Sequence, residues 1–182
     1  MKLLKQEIKL EQDHALTFLE IQRILAGKVK HLAVNFFDIE KQKHKKRYKL
    51  SNLIHGRYNA CAVLCAITIT KSVQYHWGCL IKNKNKLYWY DSLGIPVEAL
   101  DKIMEDDGKL GILLKSHKVH ENRHKHQRDS AHIKTCGLHL CQRLLNFRKT
   151  NEEYDSWSRS VVGMPLNLDS LATLMTYIGH LS

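Results

Sequence analysis

The alternation of apolar and polar positions divides the chain into helical and extended stretches. Leu138, Cys141, Leu144 and Leu145 repeat at spacings of three and four, the stripe of a buried amphipathic helix that opens at Cys136. The run from Ala60 to Thr70 is nearly all small or β-branched, which predicts a strand buried on both faces and central in a sheet. Tyr75 to Lys82 and Leu87 to Asp91 are short apolar runs joined by Asn83-Lys84-Asn85-Lys86, a hairpin signal. Upstream, Asp13 is placed to cap a helix carrying Leu16, Leu19, Ile21, Ile24 and Leu25, with Gly27 at its end. Val34 to Ile39 reads as a short strand, and the basic stretch Glu40 to Tyr48 as an exposed loop.

Downstream of the hairpin, Pro96 can begin a helix that buries Leu100, Ile103 and Met104. Ile112 to Val119 alternates weakly and predicts another strand. After a polar connection from Asn146 to Asp155, Trp157, Val161, Val162, Met164 and Pro165 read as packing support. Asn167 or Asp169 then caps a last helix whose Leu171, Leu174, Met175 and Ile178 face inward. No internal repeat or low-complexity linker divides the chain. The expectation is one α+β domain over residues 1–182, with residues 1–50 a helical and basic extension of it.

The two strongest patterns bring chemistry together. If the hairpin closes symmetrically on its turn, Lys82 pairs with Leu87, Leu80 with Trp89 and Gly78 with Asp91. His76, two residues beyond Gly78, then shares a face with Asp91 as a diagonal neighbour. A carboxylate there can accept the imidazole N–H and favour the imidazolium. Cys136 at a helix start faces unpaired backbone N–H groups and the positive end of the helix dipole, both of which favour thiolate. Gly137 leaves room for a substrate carbonyl to approach the sulfur. The plainer alternative is that Cys136 is a small buried hydrophobe and that His76 and Asp91 make only local hydrogen bonds.

Composition adds three points. Lys and Arg number 29 against 18 Asp and Glu, a formal charge of +11. Part of the excess lies in Lys41, Lys43, Lys45, Lys46 and Arg47, a candidate site for sequence-independent DNA binding or a solvated loop. Five cysteines, an odd number without a regular framework, point to reduced thiols rather than disulfides. The first residues lack the apolar core of a signal peptide and no run reaches transmembrane length, so a soluble protein inside a cell, without a membrane partner, is expected. His117, His120, His124, His126, His132 and His139 raise the question of a metal. Cys136 and Cys141 lack the spacing of a zinc-binding pair, so no metal is expected and the histidines read as a basic, substrate-bordering loop.

The order His, acidic residue, Cys-Gly, with its flanks, resembles the adenovirus-type maturation proteases, the adenain branch of the clan that includes the ubiquitin-like-protein proteases. The resemblance rests on His76-Trp77, on Leu87-Tyr88-Trp89-Tyr90-Asp91-Ser92-Leu93-Gly94 and on Cys136-Gly137-Leu138, and covers roughly residues 58–147. Val162-Gly163-Met164-Pro165 with Asn167 and Leu168 is faintly similar to the family's distal region. The likeness implies a papain-like or adenain-like fold, with a central, mostly antiparallel sheet packed against helices and the nucleophile at a helix N-terminus. It also implies a Cys136–His76–Asp91 triad cleaving after small, Gly-type residues. Gln127 is then the oxyanion donor, although its spacing to Cys136 exceeds the family's and leaves a different donor open.

Such proteases occur in double-stranded DNA viruses, virophages and Polinton-like elements, where they cut capsid precursors. That setting implies protein substrates and a place in the virion or the host cell interior, such as the cytoplasm or a viral factory. Adenoviral relatives use DNA as a cofactor and an activator peptide joined through a Cys between the acidic residue and the nucleophile. No Cys lies between Cys79 and Cys136, which argues against such a linkage, while the charge keeps DNA as a stimulating polyanion. Two alternatives stand beside the endopeptidase: an isopeptidase acting on ubiquitin-like conjugates, and a non-catalytic basic nucleic-acid-binding protein.

Overall fold

A computed structural model describes residues 15–69, 72–128, 134–161 and 167–181. The chain is α+β, built on a five-stranded mixed sheet in which sequence order is also spatial order. β1 (Val34–Asp38) runs parallel to β2 (Ala60–Ile69), β2 antiparallel to β3 (Ser72–Asn83), β3 antiparallel to β4 (Lys86–Asp91), and β4 parallel to β5 (His120–Glu121). The sheet is thus antiparallel at its centre and parallel at both edges.

Eight helices complete the described fold: α1 (Phe18–Leu25), α2 (Ile39–Gln42), α3 (Leu50–Leu53), α4 (Val97–Ile103), α5 (Lys109–Ser116), α6 (Cys136–Leu145), α7 (Asn151–Val161) and α8 (Leu168–Leu181). On one face, Ala60, Ala62, Trp77, Cys79 and Tyr90 pack with Ile21 and Ile24 of α1 and Leu138, Cys141 and Leu144 of α6. On the other, Cys61, Val63, Cys65, Leu80 and Trp89 pack with Ile39, Leu53, Leu100, Leu110 and Leu114. Alternate residues of β2 therefore feed two cores, which is why that strand is uniformly small and apolar.

Several elements differ from the sequence reading. The segment expected as a strand at Ile112–Val119 is mostly α5: Leu110, Leu113 and Leu114 are buried at helical spacing while Ile112 is 61% exposed. Helix α1 begins at Phe18, because Thr17 caps it in a reciprocal box with Glu20. Leu16 precedes the helix, Leu19 is exposed, and Asp13 lies outside the described residues. Glu40–Tyr48 is not wholly loop: α2 occupies its start and Tyr48 is buried edge-on to Phe37. The polar stretch after Asn146 already enters α7 at Asn151.

Helix α8 is capped by Asn167, whose Oδ1 accepts the Ser170 N–H at 3.0 Å, leaving Asp169 free to face the interior. Leu171 is buried and Leu174 half-buried. Thr70, residues 162–166, and the side chains of Met175 and Ile178 lie outside the described parts. Among the described residues, no helix is long and apolar enough to cross a membrane.

Candidate active site

The β3–β4 hairpin closes in the register expected from its turn, with Lys82 opposite Leu87, Leu80 opposite Trp89 and Gly78 opposite Asp91. Lys84 takes a left-handed φ of 55° in the two-residue bend. β4 stops at Asp91 while β3 continues, and His76 donates from Nε2 to Asp91 Oδ2 at 3.0 Å. Both side chains are almost wholly buried. The second oxygen of Asp91 accepts the Leu93 N–H at 2.7 Å. Asn122 clasps the Asp91 backbone on both sides, Oδ1 accepting its N–H and Nδ2 donating to its carbonyl, each at 2.7 Å. Asn122 was not singled out in the sequence, because its role depends on β5 lying beside β4.

Cys136 is the first residue of α6. With Nε2 engaged by Asp91, the Nδ1 side of His76 is left to face the Cys136 sulfur, close enough for each group to shift the other's titration. The backbone N–H groups of Trp77 and Gly137 are placed to favour the thiolate as well. Burial alone would push the Cys136 pKa up, but these donors and the imidazolium charge hold it below the ordinary thiol value. For His76, burial pulls downward, and the Asp91 charge with the hydrogen bonds to Asp91 and Cys136 outweighs it, leaving the imidazole well above its ordinary pKa. Both shifts favour the thiolate–imidazolium form of the pair, and a thiolate is a nucleophile. All five cysteines are free. Burial drives the Cys61, Cys65 and Cys141 pKa values strongly upward and that of Cys79 to about 12, the signature of inert packing thiols.

Gly137 plays a different part from the one expected. A Cβ there would meet Leu16 Cβ at 2.9 Å, so the missing side chain makes room for Leu16 rather than for substrate. The Leu16 carbonyl also accepts the Trp77 indole N–H at 3.0 Å.

Next to Cys136 in the chain, Thr135 is held by Asp169 of α8, which accepts from Thr135 Oγ1 at 2.5 Å, from His139 Nε2 at 3.0 Å and from the Arg128 N–H at 3.2 Å. Burial opposes its ionisation, but the His139 and Thr135 hydrogen bonds hold its pKa below the ordinary carboxylate value. It fastens the residue before Cys136 and the residue after Gln127 to the same helix.

Gln127 is held near the acid end of the site: its N–H donates to the Ser92 carbonyl at 2.9 Å and its Oε1 accepts from Ser92 Oγ at 2.8 Å. Residues 129–133, between it and Cys136, lie outside the described parts, His132 among them. Among the other histidines, His126 and His139 are buried beside Asp155 and Asp169, His120 lies against Tyr88 and His124 is 3.8 Å from Asp155. These are structural placements in part, so the cluster is not simply a loop. No group of three or more His, Cys, Asp or Glu arranged to hold a metal occurs among the described residues. In the basic stretch, Lys41 pairs with Asp38 at 3.4 Å and Lys43 with Glu40 at 3.9 Å, Lys45 is half-buried, and Lys46 and Arg47 are exposed. No family model matches the chain, and no curated protein matches it.

Proposed function

We propose that this chain is a cysteine endopeptidase with an adenain-like, papain-type site, in which Cys136 is the nucleophile, His76 the acid and base, and Asp91 the residue that orients His76. The observation that carries this reading is a helix-opening thiol beside an imidazole that a buried carboxylate holds at 3.0 Å, an arrangement that favours the thiolate. Four other cysteines in the same chain, buried without such partners, have raised pKa values.

In the reaction, the Cys136 thiolate adds to the scissile carbonyl carbon. The tetrahedral oxyanion takes the Cys136 backbone N–H at the start of α6 and the Gln127 side-chain amide. The His76 imidazolium gives its proton to the departing amine, leaving a thioester on Cys136. His76, now neutral, removes a proton from water as water attacks the thioester, and the acid product leaves with the thiolate restored. Throughout, Asp91 fixes the ring's tautomer and stabilises its charged form. The resemblance to adenain-type proteases extends the proposal to cleavage after Gly-type residues in capsid precursors of a double-stranded DNA virus or related element, with DNA as a stimulating polyanion.

The test uses a peptide ending in a Gly-linked vinyl sulfone. Intact mass should show one adduct per chain on Cys136, a rate at least a hundredfold lower in His76→Ala, and no adduct in Cys136→Ala. Labelling indifferent to His76, or spread over several cysteines, overturns the reading. Retained peptide cleavage by Cys136→Ala does so as well.

A further inference from the structure

β3 is 12 residues long and β4 only 6. On its β2 side, β3 is paired as far back as Ser72 opposite Ile69. On the other side, pairing stops at Gly78 opposite Asp91, so Ser72 to Trp77 has no strand neighbour there among the described residues. Which backbone groups face that gap follows from alternation along a strand. The Lys82 N–H donates to the Asn59 carbonyl at 2.8 Å, on the β2 side. Trp77, Tyr75 and Val73, an odd number of residues away, therefore turn their N–H and C=O groups to the opposite side. Cys136 belongs to the same core cluster as Trp77, and the Trp77 N–H is among the groups that hold its pKa down. The backbone groups of Tyr75 and Val73 continue the same row away from the nucleophile, and both residues are more than half exposed, at 56% and 53%.

Free sheet edges are normally guarded by Pro, Lys or a bulge. Ser72 to Tyr75 contains neither residue, and its pairing with β2 runs without a bulge.

We propose that this edge binds the leaving side of a peptide substrate: the residues C-terminal to the cleaved bond lie along Tyr75 and Val73 as an added β-strand. The proposal rests on Cys136 acting as a peptidase nucleophile. The direction follows from the chemistry, because the departing amine takes its proton from His76 and so sits on the His76 side of the sulfur. The strand from His76 back to Ser72 leads away on that side. At roughly 3.3 Å per residue, Trp77 to Val73 offers about four residues of main-chain recognition. Main-chain pairing tolerates many side chains. The substrate class is therefore an extended polypeptide that continues past the cleaved bond, rather than a conjugate whose leaving group is a lysine amine on a folded surface.

Peptides with one invariant sequence before the bond and one to four alanines after it test this, by kcat/KM. The expected result is a rise of at least tenfold from one to three leaving-side residues. N-methylation of main-chain amides at alternate leaving-side positions should abolish the gain, while methylation at the positions between should leave most of it. Val73→Pro, which removes an N–H on the open side and none from the β2 ladder, should flatten the length dependence and leave cleavage of the one-alanine peptide near normal. The N-methylated substrates give the same answer with unaltered protein if that variant folds poorly. A kcat/KM independent of length, or a gain indifferent to methylation, overturns the proposal while leaving the peptidase reading intact. A dimer in solution that Val73→Pro dissociates assigns the edge to a second copy of the chain and overturns it too. Cleavage of none of the peptides overturns both readings.

Discussion

Leu16 occupies the place that a side chain on Gly137 would need, 2.9 Å from an ideal Cβ there, while its carbonyl holds the Trp77 indole N–H at 3.0 Å. One residue ahead of α1 thus braces the neighbours of both Cys136 and His76. Gly137→Ala should destabilise the fold by about 1–3 kcal/mol, the usual cost of overpacking, and lower kcat more than it changes KM. Leu16→Gly, which removes the opposing Cβ, should recover part of the loss in the double variant. Denaturant midpoints and steady-state kinetics of the four proteins of this cycle check it, and additive losses would refute the contact.

The pH dependence of kcat/KM should be a bell whose limbs belong to the thiolate–imidazolium pair. The Cys136 pKa is lowered, so activity falls when pH drops through that value and the thiolate gains a proton. The His76 pKa is raised, so activity falls again when pH climbs through it and the imidazolium is lost. Asp91→Asn removes the main influence raising His76. The alkaline limb should then move to lower pH and the maximum should fall, with a measurable remainder. An alkaline limb unmoved in that variant would separate Asp91 from the pair.

Acid should unfold the protein partly through His126. Burial first, then the charge of His139, lower its pKa from 6.5 to about 4, against the opposing pull of Asp155 and the His124 carbonyl; Arg159 adds to the lowering. Between these values the unfolded chain binds more protons than the folded one, so stability falls as pH decreases from about 6.5 towards 4. The full effect is on the order of 3 kcal/mol. His126→Gln cannot take up that proton, and its stability curve should be flatter over the same range in urea melts; an identical slope would exclude His126 as the source.

The basic stretch supplies a test of the DNA expectation. Binding to duplex DNA should weaken linearly on a log–log plot against salt, with a slope near −0.9 per phosphate neutralised. Lys41 and Lys43 already pair with Asp38 and Glu40. Replacing Lys41, Lys43, Lys45, Lys46 and Arg47 with Gln should therefore reduce the slope by less than five phosphates' worth, while short-peptide cleavage stays near normal. An unchanged slope would assign binding to other cations, and no binding at low salt would remove DNA as a partner.

How much of this was legible depended on sequence distance. The hairpin register is set by its own turn, so the His76–Asp91 contact could be derived from a few residues, and the helix opening at Cys136 could be read from its stripe. At Ile112–Val119 a weak alternation misled. Leu110, just before that window, completes the helical spacing with Leu113 and Leu114, and the apolar residue that alternation would have buried, Ile112, faces solvent. Leu16 with Trp77, Asn122 with Asp91, and Asp169 with Thr135 are separated by 61, 31 and 34 residues. Such contacts exist only once the layers have packed. The same limit governed Gly137, whose small size was legible but whose neighbour was not.

The grip of Asp169 on Thr135 and Arg128 has a consequence for timing. The residue that steadies the start of α6 is translated well after Cys136, and it belongs to α8. During synthesis, a chain already carrying His76, Asp91 and Cys136 outside the ribosome still lacks the fastening that holds Thr135 and Arg128 in place. On the peptidase reading proposed above, assembly of the Cys136 site then waits for α8 to emerge and dock against Thr135 and Arg128.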